Sequence, residues 1–130
     1  MKNFVGVFFC RKNFLRVEIK FRNIFGGASV TVEFELGDFK FEWDEEKAEI
    51  NWQKHRVYFE TAAKAFLDEN KIDEFDELHS NFEDRYKIIG RVGKILAVIY
   101  TERGENYRII SARRATKSEE EQYYDQFRDF

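Results

Sequence analysis

The sequence predicts an α+β fold in which two helices and a later C-terminal helix surround an antiparallel sheet. Three strand-like runs, RYKIIGRV, KILAVIYTER and NYRIISARR, follow one another with glycine-containing turns between them. Apolar residues recur at helical spacing over 45–69, and a capping motif near residue 118 predicts the last helix. The 130 residues, of which 43% are hydrophobic, are enough for one compact domain.

Residues 1–37 differ from the rest of the chain, because they are rich in Phe, Val and basic residues. The run FVGVFF follows Lys2 as in a signal peptide, but Arg11 and Lys12 come too soon and no A-x-A-like site follows. The segment is therefore interpreted as an N-terminal extension, and a start codon assigned too far upstream is one hypothesis for it. The remaining 38–130 are expected to form the functional domain.

The domain opens at Asp38 with FKFEW, whose alternating apolar and polar residues predict a strand. Asp44 is the predicted N-cap of the first helix, because Glu45 and Glu46 follow in the first turn and suit the helix dipole. After a tight bend, VYFETAAKAFLDE places apolar residues at helical spacing for a second amphipathic helix. We expect a short strand at about 71–75 and then an exposed acidic loop.

Three further strands complete the predicted sheet. Their turns lie near Gly93 and at RGEN, where Gly104 allows the positive φ that a hairpin turn needs. The runs IIG, ILAVIY and RIIS are apolar on both faces, which indicates central strands covered on one side by the helices. Ser118 and Glu121 form an S-x-x-E capping box for the last helix. The predicted order is β-α-α-β-β-β-β-α.

Charge is distributed unevenly along the chain, although the net charge is only -3. The segments 1–37, 38–84, 85–118 and 119–130 carry net charges of +3, -9, +7 and -4. Arg and Lys concentrated on one sheet are a common feature of phosphate-binding proteins. The same cations would also be explained if they only balance the acidic segments across the fold.

The sequence offers no pattern typical of a metal site, a cofactor site or a membrane span. Cys10 is the only cysteine, so an internal disulfide is excluded and no Cys/His spacing suggests zinc. The longest apolar runs are strand-length, well below the roughly 20 residues of a transmembrane helix. We expect a cytoplasmic protein without a cofactor.

Three blocks of the sequence resemble a known family. FEWDEEKAEINWQKHRVYFETAAKAF, DRYKIIGRV and ILAVIYTERGENYRIISARRATKSEEEQYY are similar, in this order, to the BrnT family of type II toxins. The resemblance covers about 39–124 and implies a small ribonuclease with a RelE-like fold. It also implies neutralisation by a BrnA-like antitoxin, with a toxin–antitoxin heterotetramer as the expected assembly.

The chain departs from the family pattern between the two predicted helices. Family members usually have Lys-His-Gly there, whereas this chain has Lys54, His55 and Arg56. A glycine at that position takes a left-handed helix C-cap readily, so Arg56 requires a different cap or a strained backbone.

RNA cleavage without a metal uses the neighbouring 2′-hydroxyl as the nucleophile. The protein must then help remove its proton, stabilise the phosphorane and stabilise the departing 5′-oxygen. Arg113 and Arg114 are the first candidates, because a guanidinium can hold two phosphate oxygens at once. The other candidate catalytic residues are Glu102 as a base, the neighbouring Arg103, and His55, because a histidine side chain can act as a general acid or base near neutral pH.

The RGEN hairpin determines which candidates share a face. With Gly104 and Glu105 at the tip, Arg103 lies opposite Asn106 and Thr101 opposite Arg108. One predicted face then carries Thr101, Arg103, Arg108, Ala112 and Arg114, and the other carries Tyr100, Glu102, Tyr107, Ser111 and Arg113. Arg113 and Arg114 thus diverge, and a loop one residue longer would exchange the facing pairs.

The candidate RNA-binding residues are cations of the same sheet. Arg85, Lys87, Ile89 and Arg91 share one face of their strand, and three cations on a face are not expected in a core. We expect that face to be solvated or to bind RNA, with Arg85, Lys87, Arg91 and Arg108 as phosphate ligands. Trp43 and Trp52 are interpreted as core residues, with base stacking as the alternative.

Two functions agree with these patterns. The first is a metal-independent ribonuclease toxin with RNA as substrate. The alternative is a non-catalytic module that binds nucleic acid or a partner through the same basic sheet. Both predict salt-sensitive RNA binding, but only the first predicts products that end in a 2′,3′-cyclic phosphate.

Overall fold

The computed structural model of the protein describes the backbone of 4–10, 15–21 and 30–128, and the side chains of 30–128. The strands are β1 (Phe4–Cys10), β2 (Leu15–Phe21), β3 (Thr31–Leu36), β4 (Phe39–Asp44), β5 (Ile72–Phe75), β6 (Tyr86–Val92), β7 (Lys94–Arg103) and β8 (Asn106–Arg114). The helices are α1 (Glu45–His55), α2 (Phe59–Ala63) and α3 (Lys117–Asp125). Lys2, Arg11 and Lys12, on which the interpretation of the chain's start depends, lie outside the described residues.

The protein is an α+β structure with three helices and a six-stranded sheet of order β3-β4-β8-β7-β6-β5. The predicted all-antiparallel sheet is wrong at one place, because β4 and β8 pair in parallel. Between these strands the chain passes through α1, α2 and β5 to β7, and it returns beside β4 in the same direction. β1 and β2 form a separate two-stranded antiparallel sheet.

The caps of the helices explain where they begin and end. The Asp44 side chain accepts hydrogen bonds from the backbone N–H groups of Glu46 and Lys47, so α1 begins directly after β4. α1 ends at Arg56, which adopts a left-handed conformation with φ 55° and donates its N–H to the Trp52 carbonyl oxygen. α2 is short, and a 3-10 turn over Lys64–Leu67 continues it.

The predicted capping box of the last helix lies two residues too far along the chain. Thr116, and not Ser118, is the N-cap of α3, and its partner is Glu119 instead of Glu121. The Ala115 N–H still bonds to the Ile95 carbonyl oxygen, so the chain leaves the sheet and can start a helix only at Thr116. The T-x-x-E pattern at 116–119 satisfies the same rule as the S-x-x-E pattern at 118–121.

The main core lies between one face of the sheet and the helices α1 and α2. Trp43 and Phe41 of β4, Phe59 of α2 and Ile88 of β6 are almost completely buried there. Gly90 allows the turn after α2 to lie directly on β6, because a Cβ at this position would meet the Ala65 carbonyl oxygen at 2.9 Å. A smaller cluster on the opposite face joins Ile89, Ile95 and Tyr123 of α3.

Strand β3 belongs to the main sheet although it precedes Asp38. It pairs with β4 along its whole length and contributes Val32, Phe34 and Leu36 to the core. None of the helices in the described part of the chain is long and apolar enough to cross a lipid bilayer.

Candidate functional site

Helix α3 packs on one end of the sheet face opposite α1 and α2. Five cations lie on the remaining part of this face, which we call the open sheet face: Arg85, Lys87, Arg103, Arg108 and Arg113. Cross-strand pairing defines the set, because Lys87 lies opposite Ile99, Ile99 opposite Ser111, and Thr101 opposite Arg108. The fold therefore brings three predicted RNA-binding residues and two predicted catalytic residues onto one face. The RNA-binding residues are Arg85, Lys87 and Arg108, and the catalytic residues are Arg103 and Arg113.

The hairpin register near the turn is confirmed. Arg103 lies opposite Asn106, and Thr101 lies opposite Arg108. Gly104 has φ 58° at the turn, as the sequence predicts.

Beyond that point the predicted faces are wrong, because β8 contains a bulge. Tyr100 lies opposite Ile109 whereas Ile99 lies opposite Ser111, so Ile110 is an extra residue on β8. The bulge moves Ser111 and Arg113 onto the face of Thr101, Arg103 and Arg108. Conversely, Ala112 and Arg114 lie on the face that was predicted to carry Tyr100, Glu102 and Tyr107.

Arg113 is held by a carboxylate of α3. Its Nη1 donates to Glu119 Oε1 at 2.6 Å, its Nη2 donates to Oε2 at 3.2 Å, and Nη1 also donates to the Arg114 carbonyl oxygen at 3.2 Å. Lys87 Nζ lies 2.9 Å from Glu119 Oε2 and 3.2 Å from Glu74 Oε1. One buried carboxylate thus fixes two cations of the open sheet face.

The contacts within this group stabilise the charged forms of Glu119 and Lys87. Burial alone would raise the pKa of Glu119, but hydrogen bonds from Arg113, the Thr116 backbone and Lys87 outweigh it and lower the pKa to about 2. Burial would lower the pKa of Lys87, but its bonds to Glu119 and Glu74 raise it above the ordinary value. Glu119 is therefore a weak base, because it holds a proton only at strongly acidic pH.

The other cations of the open sheet face also have acidic neighbours. Arg108 Nη1 donates to Glu42 Oε2 at 2.9 Å, and both side chains are 15% exposed. Arg85 and Arg103 approach Glu83 at 3.5 and 3.7 Å. Arg85 Nε is buried and has no hydrogen-bond partner among the residues that the structure describes. The face therefore combines positioned guanidinium groups with one unused buried donor.

Arg114 and His55 lie together on the other side of the sheet. They line a cavity of about 490 Å³, which we call the rim pocket, between the α1–α2 linker and the turn that joins β6 to β7. Its lining includes Arg56, Tyr58, Thr61 and Lys94. The predicted divergence of Arg113 and Arg114 is confirmed, since neighbouring strand residues point to opposite faces.

Glu102 and Arg91 belong to neither group. Glu102 is exposed and lies opposite Tyr107 near the hairpin tip. The pKa of the Tyr86 phenol is raised, first by desolvation of Tyr86 and then by the negative charge of Glu102. Arg91 lines a second cavity, beside Asp68 and Tyr123.

The prediction of one solvated face on β6 is wrong at Ile89. Tyr123 of α3 packs on Ile89, which is completely buried, and α3 thereby separates Arg91 from Arg85 and Lys87. The core interpretation of Trp43 is confirmed. Trp52 is half-buried and stacks on Tyr58, with ring centroids 4.0 Å apart.

Glu119 is the residue that the sequence reasoning missed. Its signal was present, because the T-x-x-E pattern at 116–119 is a capping box and starts three residues after Arg113. Among the described residues, no cluster of three or more His, Cys, Asp or Glu side chains has an arrangement that could hold a metal ion.

Comparison with known protein families identifies a matching family. The family model described as the ribonuclease toxin, BrnT, of type II toxin-antitoxin systems matches residues 43–119, which is more than half of the chain. The matched segment includes the five cations of the open sheet face, Glu119 and the rim pocket. No curated protein matches the chain.

Proposed function

The chain belongs to the BrnT family of ribonuclease toxins of type II toxin-antitoxin systems, and we propose that it cleaves RNA on the open sheet face without a metal ion. It acts as an endoribonuclease in the cytoplasm, with the RelE-like arrangement in which a sheet supplies the cleft.

The observation that carries the proposal is the convergence of five cations on one sheet face. A single-stranded RNA presents one phosphate per nucleotide, and guanidinium groups on neighbouring strands match such a row of charges. Arg113 and Arg103 are the proposed catalytic cations of this face. Arg85, Lys87 and Arg108 bind the flanking phosphates.

Arg113 is the proposed ligand of the phosphorane. Its fork is already oriented by the two oxygens of Glu119, and its side chain is 36% exposed, so that it needs little reorganisation to meet a phosphate. Cations beside the attacking 2′-hydroxyl also favour its ionised form. The open sheet face thus contributes mainly electrostatic stabilisation.

The residues predicted to transfer protons, His55 and Glu102, do not lie on the open sheet face. His55 lines the rim pocket together with Arg114, and Glu102 lies near the hairpin tip on the opposite face of the sheet. Glu102 contributes as a base only if the RNA crosses the tip of the β7–β8 hairpin. Arg91 can contact only a part of the RNA that extends beyond the open sheet face, because α3 separates Arg91 from that face.

A BrnA-like antitoxin is the proposed partner, in a toxin–antitoxin heterotetramer. Glu119 illustrates how a carboxylate neutralises Arg113 and Lys87 together. An antitoxin that presents acidic side chains to the same face would exclude RNA from it. A complex that still cleaves RNA at the full rate would contradict this mode of inhibition.

The decisive experiment is incubation of the purified full chain with RNA in EDTA, followed by analysis of the product ends. We expect products with 2′,3′-cyclic phosphate ends. In single-turnover kinetics Arg113→Lys should slow the chemical step on the order of 10²-fold, because one ammonium cannot reproduce a two-pronged contact. Arg114→Lys should slow it less.

Circular dichroism provides the folding control for both variants. A folded double variant, Arg113→Lys with Arg114→Lys, that cleaves at the unmodified rate would rule out a catalytic role for either arginine. Intact RNA in EDTA, with binding retained, would favour the non-catalytic binding module. One observation favours this second function. Each of the five cations of the open sheet face already lies beside a carboxylate, and only the buried Nε of Arg85 lacks a hydrogen-bond partner among the described residues.

A further inference from the structure

The rim pocket is a concave site on the side of the sheet that faces away from the five cations. It is built from three parts of the chain: the α1–α2 linker with His55, Arg56 and Tyr58, the β6–β7 turn with Lys94, and the end of β8 with Arg114. Its volume of about 490 Å³ is within the range of small-ligand pockets. The pocket is therefore large enough for one nucleotide.

We propose that the rim pocket binds a phosphate-bearing nucleotide unit of an RNA strand, at a subsite separate from the open sheet face. The proposal deepens the proposed function and rests on it for the identity of the nucleic acid. It gives Arg114 and His55 a binding role away from the cleaved bond.

The first observation is the unbalanced charge of the pocket. Arg56, Lys94 and Arg114 are exposed, and within the described part of the chain none of them forms a salt bridge. The open sheet face differs, because each of its cations has a carboxylate neighbour. Three positively charged side chains around one pocket attract an anion. Such an anion does not have to displace a salt-bridged carboxylate of the described residues before it binds.

The second observation is the position of Arg56. Its backbone is left-handed, with φ 55°, and it is the only described residue other than glycine with a positive φ. Its N–H bonds to the Trp52 carbonyl oxygen at 2.9 Å, and its guanidinium lies over the Trp52 ring, 5.3 Å from the centroid. Arg56 is thus held in place at the pocket despite an unfavourable backbone conformation.

The third observation distinguishes a nucleotide from an acidic peptide. Tyr58 stacks on Trp52 with an interplanar angle of 7°, and it remains 53% exposed at the pocket wall. An aromatic ring beside guanidinium groups fits a base next to a phosphate, because every base has a face for stacking. A carboxylate peptide would use the cations but not the ring.

The test measures binding separately from cleavage. A fluorescent single-stranded 2′-O-methyl RNA oligonucleotide lacks the nucleophile, and its affinity for the full chain is followed by anisotropy at several salt concentrations. We expect the double variant Arg56→Gly with Arg114→Gln to bind about tenfold more weakly, because it loses cationic contacts with a phosphate. Loss of one phosphate contact should also reduce the slope of log K against log salt by about 0.7.

The matched control is Lys47→Gln with Lys71→Gln, which changes the net charge equally but at residues that line none of the cavities described above. Its affinity should stay close to that of the unmodified protein. Equal losses in the two double variants would overturn the proposal, because they would reflect net charge alone. Unchanged affinity in the pocket variant would overturn it as well, and Lys94→Gln provides a second variant if the first does not fold.

Two further probes separate the sources of the phosphate. Inorganic phosphate and adenosine 5′-monophosphate should compete with the oligonucleotide only at millimolar concentrations. If a short polyglutamate peptide competes more strongly than adenosine 5′-monophosphate, the assignment of the pocket to a nucleotide is overturned. Absence of cleavage of ordinary RNA would instead refute the ribonuclease function, while the binding result would still decide the role of the pocket.

Discussion

At the scale of single residues, Arg113 and Arg114 are neighbours in sequence with different surroundings. Arg113 lies on the open sheet face in a fork-to-fork contact with Glu119, whereas Arg114 lies exposed at the rim pocket. Alternation along a strand separates any two adjacent side chains. What the sequence alone could not supply was the bulge at Ile110, which decides which arginine lies on which face.

The pH dependence of stability is expected to depend on Glu119. Its folded-state pKa of about 2 lies below the ordinary 4.5, so its contribution is present above pH 4.5 and is lost as the pH falls toward 2. We expect the free energy of unfolding to fall by about 2 to 3 kcal/mol from this group between pH 6 and pH 2.5. Urea unfolding of the unmodified chain and of Glu119→Gln at both pH values measures the difference.

The exposed Glu121 of the same helix provides the control. Glu121→Gln should retain the pH dependence of the unmodified chain, because none of the described salt bridges involves Glu121. Parallel pH profiles for the unmodified chain and Glu119→Gln would contradict the assignment.

A second prediction concerns the backbone at Arg56. A residue with a Cβ in the left-handed region is strained by about 1 kcal/mol relative to glycine. Arg56→Gly and Arg56→Ala both lose the contact with Trp52, so their comparison isolates the strain. We expect Arg56→Gly to be more stable than Arg56→Ala by about 1 kcal/mol in urea unfolding. Equal stabilities would mean that the C-cap of α1 changes its conformation on substitution.

At the scale of secondary-structure elements, a local sequence pattern predicts the structure correctly where a specific residue enforces it. Asp44 caps α1, and Gly104 fixes the turn of the β7–β8 hairpin with the expected pairs. The N-cap of the last helix lies two residues before the predicted one, because two capping patterns overlap and tertiary contacts of Glu119 favour the first of them. The parallel pairing of β4 with β8 depends on contacts between distant parts of the chain, which no local pattern contains.

The element that tests the domain boundary is β3. A chain that begins at Asp38 lacks Val32, Phe34 and Leu36, which are buried in the main core. Burial of each such side chain contributes roughly 1.5 to 3 kcal/mol, so the expected loss is at least about 4 kcal/mol. The truncation would also leave β4 as an unpaired edge.

The measurement compares urea unfolding and solubility of chains 30–130 and 38–130. We expect the shorter chain to be unfolded or aggregated under conditions in which the longer one is folded. Equal stability of the two chains would show that the domain does begin at Asp38, and β3 would then be a dispensable addition.

At the scale of the whole molecule, the charge pattern read from the sequence becomes a three-dimensional arrangement. The segment 85–118, with a net charge of +7, supplies β6, β7 and β8 in the middle and on one side of the sheet. Carboxylates from β4, β5, α3 and the loop before β6 then contact its cations. The positive charge is therefore partly neutralised within the fold, and an RNA phosphate must compete with these internal partners.

This competition shapes the last prediction, which concerns toxicity. Induced expression of the full chain in a bacterial host should arrest growth, because phosphate groups along an RNA strand engage several cations at once, whereas each internal carboxylate engages one or two. Arg113→Lys keeps the charge but loses the two-pronged contact, so it should accumulate to the same level and permit faster growth. Growth curves with quantification of the soluble protein measure both effects. Normal growth while the unmodified chain accumulates in folded form would count against the toxin function. Equal growth arrest by the Arg113→Lys variant would show that toxicity does not depend on the proposed phosphorane contact.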